Sequence, residues 1–314
     1  MIYTVTFNPA LDRTLSVEKI LPDQSNRVVQ DKRYPGGKGI DVSRVLTTLG
    51  TASRAIGFFG GFTGEELEGL LLNEGVDCDL VKISGETRTN VIVNDLESGK
   101  QTPFNVRGPE IRPYELMQMV HKIEHLPLPE WVVISGSLPP GVHPHIYRKI
   151  IEMLKSRGAA VILDTDGDGL KIGIEGQPDI IKPNIHELSR LVGRDLKGRE
   201  EVLQAARDVH EKGIRCVLVS LGAEGMLMVG ANELVLASPP EVEVVNTIGA
   251  GDSAVAGFLQ GLVDGRNHRE SLALAVAAGT ATTMRPGTAL CRREDVLKLV
   301  AEITLRDKDE LREG

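Results

Sequence analysis

Asn246-Thr247-Ile248-Gly249-Ala250-Gly251-Asp252-Ser253 is the stretch that decides how this chain is read. A β-like run, Glu241 to Val245, precedes it, and a small-residue segment, Ala254 to Leu259, continues it as the start of a helix. Gly249, Ala250 and Gly251 carry no large side chain, so backbone N–H groups can converge at the helix N-terminus. Unpaired amides and the positive end of the helix dipole favour an anion there. Asp252 places a carboxylate beside that corner. Such a pair suits phosphoryl transfer, with charge stabilised on one side and a hydroxyl proton accepted on the other. The same residues also fit a glycine-rich turn in which Asp252 only starts a helix. The motif alone does not choose between the two.

Upstream, from about residue 130, short apolar runs alternate with helical spacing. Strands are expected at Trp131–Ile134, Ala160–Leu163, Asp179–Asn184 and Cys216–Ser220. Helices are expected over Pro144–Ser156, from His186, and over Glu200–Lys212. This alternation predicts an α/β fold with a doubly wound, mostly parallel sheet whose ligands lie at the C-terminal strand ends. Ser137, Asp164, Lys182, Asn184, Glu187 and Ser220 all fall there. Residues about 13–35 and 86–107 alternate without helical spacing and read as an inserted antiparallel lid. Between them, Lys38–Leu49 and Glu65–Asn73 read as helices. No repeat or long linker breaks the chain, so one domain over residues 1–314 with a small lid is expected.

Composition narrows the function. The chain has 314 residues, 41% hydrophobic and 25% charged, enough to bury a core. No apolar run approaches the roughly 20 residues of a membrane span, and the N-terminus enters a strand with no signal-peptide pattern. A net charge of −8 without a basic block argues against nucleic acid as a partner. Three separated cysteines, Cys78, Cys216 and Cys291, suggest reduced thiols and a cytoplasmic protein.

Several motifs are informative by failing. Gly36-Gly37-Lys38-Gly39 lacks the spacing and the following Ser or Thr of a Walker loop. Asp164-Thr-Asp166-Gly-Asp168-Gly169 with Glu175 matches a calcium loop in letters, but it follows a strand and contains Lys171. Lys182-Pro183-Asn184-x-x-Glu187 aims an amide and a carboxylate at a strand-end cleft, which suits a hydrated Mg²⁺; it equally fits a helix capping box. Arg27, Arg88 and Arg107 lie in the lid segments and could carry cations to an anionic substrate or sit solvated.

Together these stretches resemble the PfkB (ribokinase-like) carbohydrate kinases. Thr247–Ser253 is similar to their C-terminal signature and Pro35-Gly-Gly-Lys-Gly-Ile40 to their N-terminal one. Asn8–Asp12, Gly85–Asn90, Ser135–Pro139, Lys182–Glu187 and Ser220-Leu-Gly222 follow in the family's order, so the resemblance spans essentially the whole chain. It implies an ATP- and Mg²⁺-dependent kinase with Asp252 as base and Gly249 to Gly251 as anion hole. It implies Asp12, Gly36, Gly37, Lys38, Asp41, Arg88, Asn90, Arg107 and Ser137 at the sugar, with Arg27 near its phosphate. Lys182, Asn184, Ser220 and Gly222 would meet the nucleotide, and Glu187 with Asn184 would position the metal through water. Asp41 stands where many relatives carry Asn, an acceptor-only group in place of a mixed one.

The resemblance is to the phosphosugar branch: 1-phosphofructokinases, tagatose-6-phosphate kinases and the minor 6-phosphofructokinase type. Tyr34–Gly39 and Gly57–Glu65 favour the first, Arg107-Gly-Pro-Glu-Ile the second and Gly287–Cys291 the third. A kinase of a neutral sugar would leave the lid arginines unpaired, and a non-catalytic sensor would not need Asp252. Exposed lid strands and the use relatives make of their lids imply a C2 homodimer joined there, with Arg27 serving the neighbouring site.

Overall fold

A computed structural model describes residues 1–307; the expected domain runs on to Gly314, and residues 308–314 lie outside the described part. The first strand, β1 (Ile2–Thr6), is buried along its length, as a strand covered on both faces must be. β2 (Ala10–Val17) and β3 (Val28–Gly36) leave the core as a hairpin, and α1 (Lys38–Leu49), β4 (Ser53–Phe59) and α2 (Gly61–Asn73) return to it. Short β5 (Asp77–Cys78) and β6 (Val81–Lys82) precede a second hairpin, β7 (Arg88–Asp95) and β8 (Gln101–Phe104). Helices and strands then alternate through α3 (Pro113–Glu124), β9 (Trp131–Ser135), α4 (His145–Ser156), β10 (Ala160–Asp164) and α5 (Gly167–Gly173). The pattern continues with β11 (Ile180–Ile181), α6 (Ile185–Val192), α7 (Arg199–His210) and β12 (Cys216–Ser220). The chain closes with β13 (Met226–Gly230), β14 (Leu234–Ser238), α8 (Ala250–Val263), α9 (His268–Thr283), α10 (Arg293–Val300) and β15 (Thr304–Asp307).

In the main sheet β1 lies between β9 and β4, and the strands from β5 across to β12 are parallel. The antiparallel strands β13, β14 and β15 finish one edge. The chain leaves β1 first toward β4 and later toward β9, so strand order reverses beside β1. A crevice opens at such a switch point, outside the carboxyl ends of the strands. Helices cover both faces because their apolar residues share one side: Ile146, Tyr147, Ile150, Ile151 and Leu154 of α4 are all buried. Phe7 anchors this layer with its ring 6.1 Å from both Phe58 and Tyr147. Burying an apolar side chain of this size stabilises the fold by roughly 1.5–3 kcal/mol.

The lid is a separate four-stranded sheet in the order β3-β2-β7-β8. Its two hairpins are antiparallel, as expected, and its central pair, β2 with β7, runs parallel, with Asp12 opposite Asn90. The lid strands β2 and β7 start at buried Ala10 and half-buried Arg88, which face each other across the pair, and so bring their first residues to the crevice.

Two local expectations need correction. The run 241–245 forms no strand; the N–H groups of Val245 and Asn246 bond to the carbonyl of Thr283 at the end of α9 instead of to a neighbouring strand. The strand expected over 179–184 is regular only at Ile180–Ile181, because Pro183 has no N–H, and pairing resumes as a single bridge between Asn184 and Ser220. The calcium-like loop is mostly helix α5, in keeping with its exclusion.

Candidate active site

The loop before α8 is pinned from within. Asn246 Nδ2 donates to the carbonyls of Arg285 (2.8 Å) and Gly287 (2.5 Å), while its Oδ1 accepts from the Ile248 N–H at 2.5 Å. Gly249 caps the helix in the left-handed region, φ 77°, where a side chain would be strained. The Ala250 N–H turns back to the Thr247 carbonyl at 3.3 Å. Among the described residues, no acceptor meets the N–H groups of Gly251 and Asp252. Helix α8 is buried along most of its length, and Gly257 lets it press onto α9: a Cβ there would sit 2.6 Å from the Leu274 carbonyl oxygen. The corner that carries Asp252 therefore rests on a rigid platform.

A cation stands over that corner. A Cβ on Gly251 would lie 3.1 Å from Lys182 Nζ, so only a bare backbone lets the ammonium approach. Lys182 Nζ is 3.4 Å from Asp164 Oδ2, and Lys38 Nζ is 3.3 Å from Asp164 Oδ1. One buried carboxylate thus holds two lysines. Burial alone would raise the Asp164 carboxyl, but Lys182 and Lys38 outweigh it and hold it below the ordinary range. Asp164 in turn raises Lys38, which stays a cation. Asp252 is pushed up to about 7, chiefly by burial, with Lys38 and Lys182 pulling it down and Asp164 and Asp12 pushing it up. A carboxyl titrating near neutrality is poised to accept a proton.

The lid supplies the other wall. Asp12 is buried against Gly36, and its Oδ1 accepts from Asn90 Nδ2 at 2.9 Å. Asp41 on α1 accepts from Arg44 at 2.9 Å; burial nonetheless drives its carboxyl well up, with Asp252 and Asp12 adding to the shift. Asn8 Nδ2 bridges the Arg107 carbonyl (2.9 Å) and Ser137 Oγ (3.3 Å). Arg88 does not present a free fork: it donates to the carbonyls of Asn8 (2.8 Å), Val106 (2.7 Å) and Pro9 (3.4 Å). The Arg107 and Arg27 side chains are exposed and, among the described residues, have no side-chain partner.

On the far side, Asn184 and Glu187 form a capping box at α6: Asn184 Oδ1 accepts from the Glu187 N–H and Glu187 Oε2 from the Asn184 N–H, both at 2.8 Å. Each keeps a second polar atom outside this exchange. Glu187 also adds to the field that raises Lys38. Ser220 Oγ is buried without a partner, and Gly222 begins a short helical turn beside it. The unpartnered Ser220 Oγ lies beside Asn184, and Glu187 faces Lys38, so these polar groups border the two cations and the open amide corner. That donor set fits a polyphosphate with a hydrated divalent ion.

The sequence profile of the pfkB family carbohydrate kinases matches residues 5–295. The chain belongs to this family. It is 37% identical to a 1-phosphofructokinase of Bacillus subtilis over 303 residues, covering 96% of this chain and 98% of that protein. It is 35% identical to the ATP-dependent 6-phosphofructokinase isozyme 2 of Escherichia coli, covering 96% and 99%. The structure of Escherichia coli phosphofructokinase-2 in complex with substrates and products superposes with a TM-score of 0.93 at 35% identity, covering 96% and 98%. The chain is a ribokinase-like carbohydrate kinase, and kinases of this family use ATP and a divalent metal. Among the described residues no helix is long and apolar enough to cross a membrane.

This kinase's crevice gathers Asp12, Gly36, Lys38, Asp41, Lys182, Gly251 and Asp252. Arg27 lies exposed in the loop between β2 and β3. The residue whose part was not foreseen is Asp164: its position at a strand end was visible, its two lysine partners were not. Cys216, Cys291 and Cys78 are free thiols pushed up by burial to about 12, about 11 and about 11, as packing cysteines would be.

Proposed function

We propose that this kinase transfers the γ-phosphoryl group of ATP to a ketohexose monophosphate, with fructose 1-phosphate as the lead substrate and fructose 1,6-bisphosphate as product. The observation that carries the reading is Asp252, near-neutral in its titration, next to the open amides of Gly251 and Asp252 and under Lys182. Asp252 takes the proton of the attacking hydroxyl; the amide corner and Lys182 hold the charge that develops on the transferred group. Lys38 faces the same group from the sugar side. Asp12, Asn90, Asp41 and Ser137 orient the sugar hydroxyls, with Gly36 and Gly37 giving the ring room. Arg107 and the charge of Arg88 favour a phosphorylated substrate. Asn184, Ser220 and Gly222 contact the nucleotide, and Glu187 with Asn184 holds Mg²⁺ through water, where the ion neutralises the polyphosphate.

The 6-phosphofructokinase and tagatose-6-phosphate kinase readings use the same residues, and the 35% identity to the Escherichia coli isozyme supports the former. A coupled ADP-release assay over fructose 1-phosphate, fructose 6-phosphate, tagatose 6-phosphate, fructose and ribose tests the assignment. Highest kcat/KM on fructose 1-phosphate is expected. A preference for fructose or ribose would overturn the phosphosugar reading.

We also read residues 1–314 as a single kinase domain, cytoplasmic and dimeric through the lid. Val29 and Phe104 of the lid are 54% and 56% exposed, surface that a second lid would cover.

A further inference from the structure

Away from the crevice, His121, Glu124 and His125 project from the last turn of α3, and one ligand atom from each lies within 4.8 Å of the others. We infer that this His-Glu-His cluster is a binding site for a late first-row divalent ion of the Zn²⁺ class. The inference is independent of the sugar and nucleotide assigned to the kinase.

The spacing is what a helix needs for chelation. Residues i and i+4 sit on consecutive turns, roughly 6 Å apart along the axis, and residue i+3 shares their face. The imidazole rings of His121 and His125 already stand 4.1 Å apart. His125 Nδ1 is 2.8 Å from the His121 carbonyl oxygen, which keeps the proton on Nδ1 and leaves Nε2 as a lone-pair donor. Two imidazoles and a carboxylate suit Zn²⁺, Ni²⁺ or Cu²⁺; Mg²⁺ prefers oxygen ligands alone.

The backbone under the ligands is held. Arg157 donates to the carbonyls of Glu124 (2.6 Å), Leu126 (2.6 Å) and, at 3.4 Å, Ile123, so the end of α3 is braced before any ion arrives. The nearest ammonium on the same helix, Lys122, is paired with Asp79. The cluster lies at a helix C-terminus, where the dipole favours a cation. His121 and His125 also line an open cavity of about 670 Å³ with Asp79, Lys82, Gln118 and Lys122, from which water can fill the remaining coordination positions.

The test is calorimetric titration of the chelator-treated full chain with Zn²⁺ in millimolar Mg²⁺, which leaves the oxygen-lined crevice to Mg²⁺. One Zn²⁺ per chain is expected, together with a rise in Tm on Zn²⁺ addition. His121→Ala and His125→Ala should each weaken binding by at least about ten-fold, the lower end of what even outer-shell losses cause, and abolish the Tm rise. All three side chains are exposed, so the variants should fold and keep their Mg²⁺-supported activity. No Zn²⁺ uptake by the parent, or uptake unchanged in the double variant, would overturn the site.

Discussion

The ammonium of Lys182 stands 3.4 Å from the carboxylate of Asp164, with the two side chains only 6% and 0% exposed. Lys38 completes the arrangement from the other oxygen, 38% exposed and 3.3 Å away. Removing one partner of a buried pair leaves an uncompensated charge and costs about 3–5 kcal/mol. Asp164→Asn should therefore lose about that much stability in urea denaturation at neutral pH and raise the KM for ATP. The cost should hold down to the unfolded carboxyl's range and shrink only below it, as pH falls through the lower value at which the folded Asp164 takes up its proton. A variant as stable as the parent would show that the lysines do not depend on this carboxylate.

The two lid arginines should separate. Arg88 donates to three backbone carbonyls, so Arg88→Ala should lower Tm as well as raise the phosphosugar KM. Arg107→Ala should raise the phosphosugar KM alone, by about ten- to hundred-fold if a charge-assisted pair of roughly 1.5–3 kcal/mol is lost. Unchanged sugar KM in both variants would return them to purely structural or solvated roles.

How far the sequence reached depended on separation along the chain. The amide corner and Asp252 were legible because Gly249 to Asp252 are consecutive, and helix α1 was legible because its apolar positions repeat locally. Asp164 and Lys38 are 126 residues apart, and nothing in either motif names the other. The Arg88 side chain read as a phosphate fork because its carbonyl partners belong to Asn8, Pro9 and Val106, which only the fold brings near. The β-like run at 241–245 had strand propensity, but no strand beside it to complete a ladder.

Dimerisation can be tested by subunit mixing. Arg27 is exposed, in the loop between β2 and β3. If it serves the neighbouring site, Arg27→Ala and Asp252→Asn chains, each weakly active alone, should regain activity when mixed, because one site then carries neither lesion. A proven mixed dimer without recovery would place Arg27 in its own site, and a monomer by sedimentation would remove the dimer.

The pH dependence follows from Asp252 titrating near 7 in the free kinase. As the base must be ionised, log kcat/KM should rise with slope one below about 7 and level off above it. Its folded value is above the unfolded one, so its contribution to stability is present below about pH 4 and lost as pH rises through about 7. Asp252→Asn should therefore gain stability relative to the parent as pH rises from about 4 through about 7. A constant difference across that range would contradict the raised titration.

The central claim is that Asp252 removes the proton from the attacking hydroxyl, and the most direct measurement is the turnover of Asp252→Asn at saturating ATP and fructose 1-phosphate, with ligand affinities measured alongside. Turnover should fall by roughly 10²–10⁴, the range for losing a general base, with both affinities within a few-fold of the parent. Near-normal turnover in a folded variant that binds both substrates would contradict the mechanism and leave Asp252 a helix-start residue.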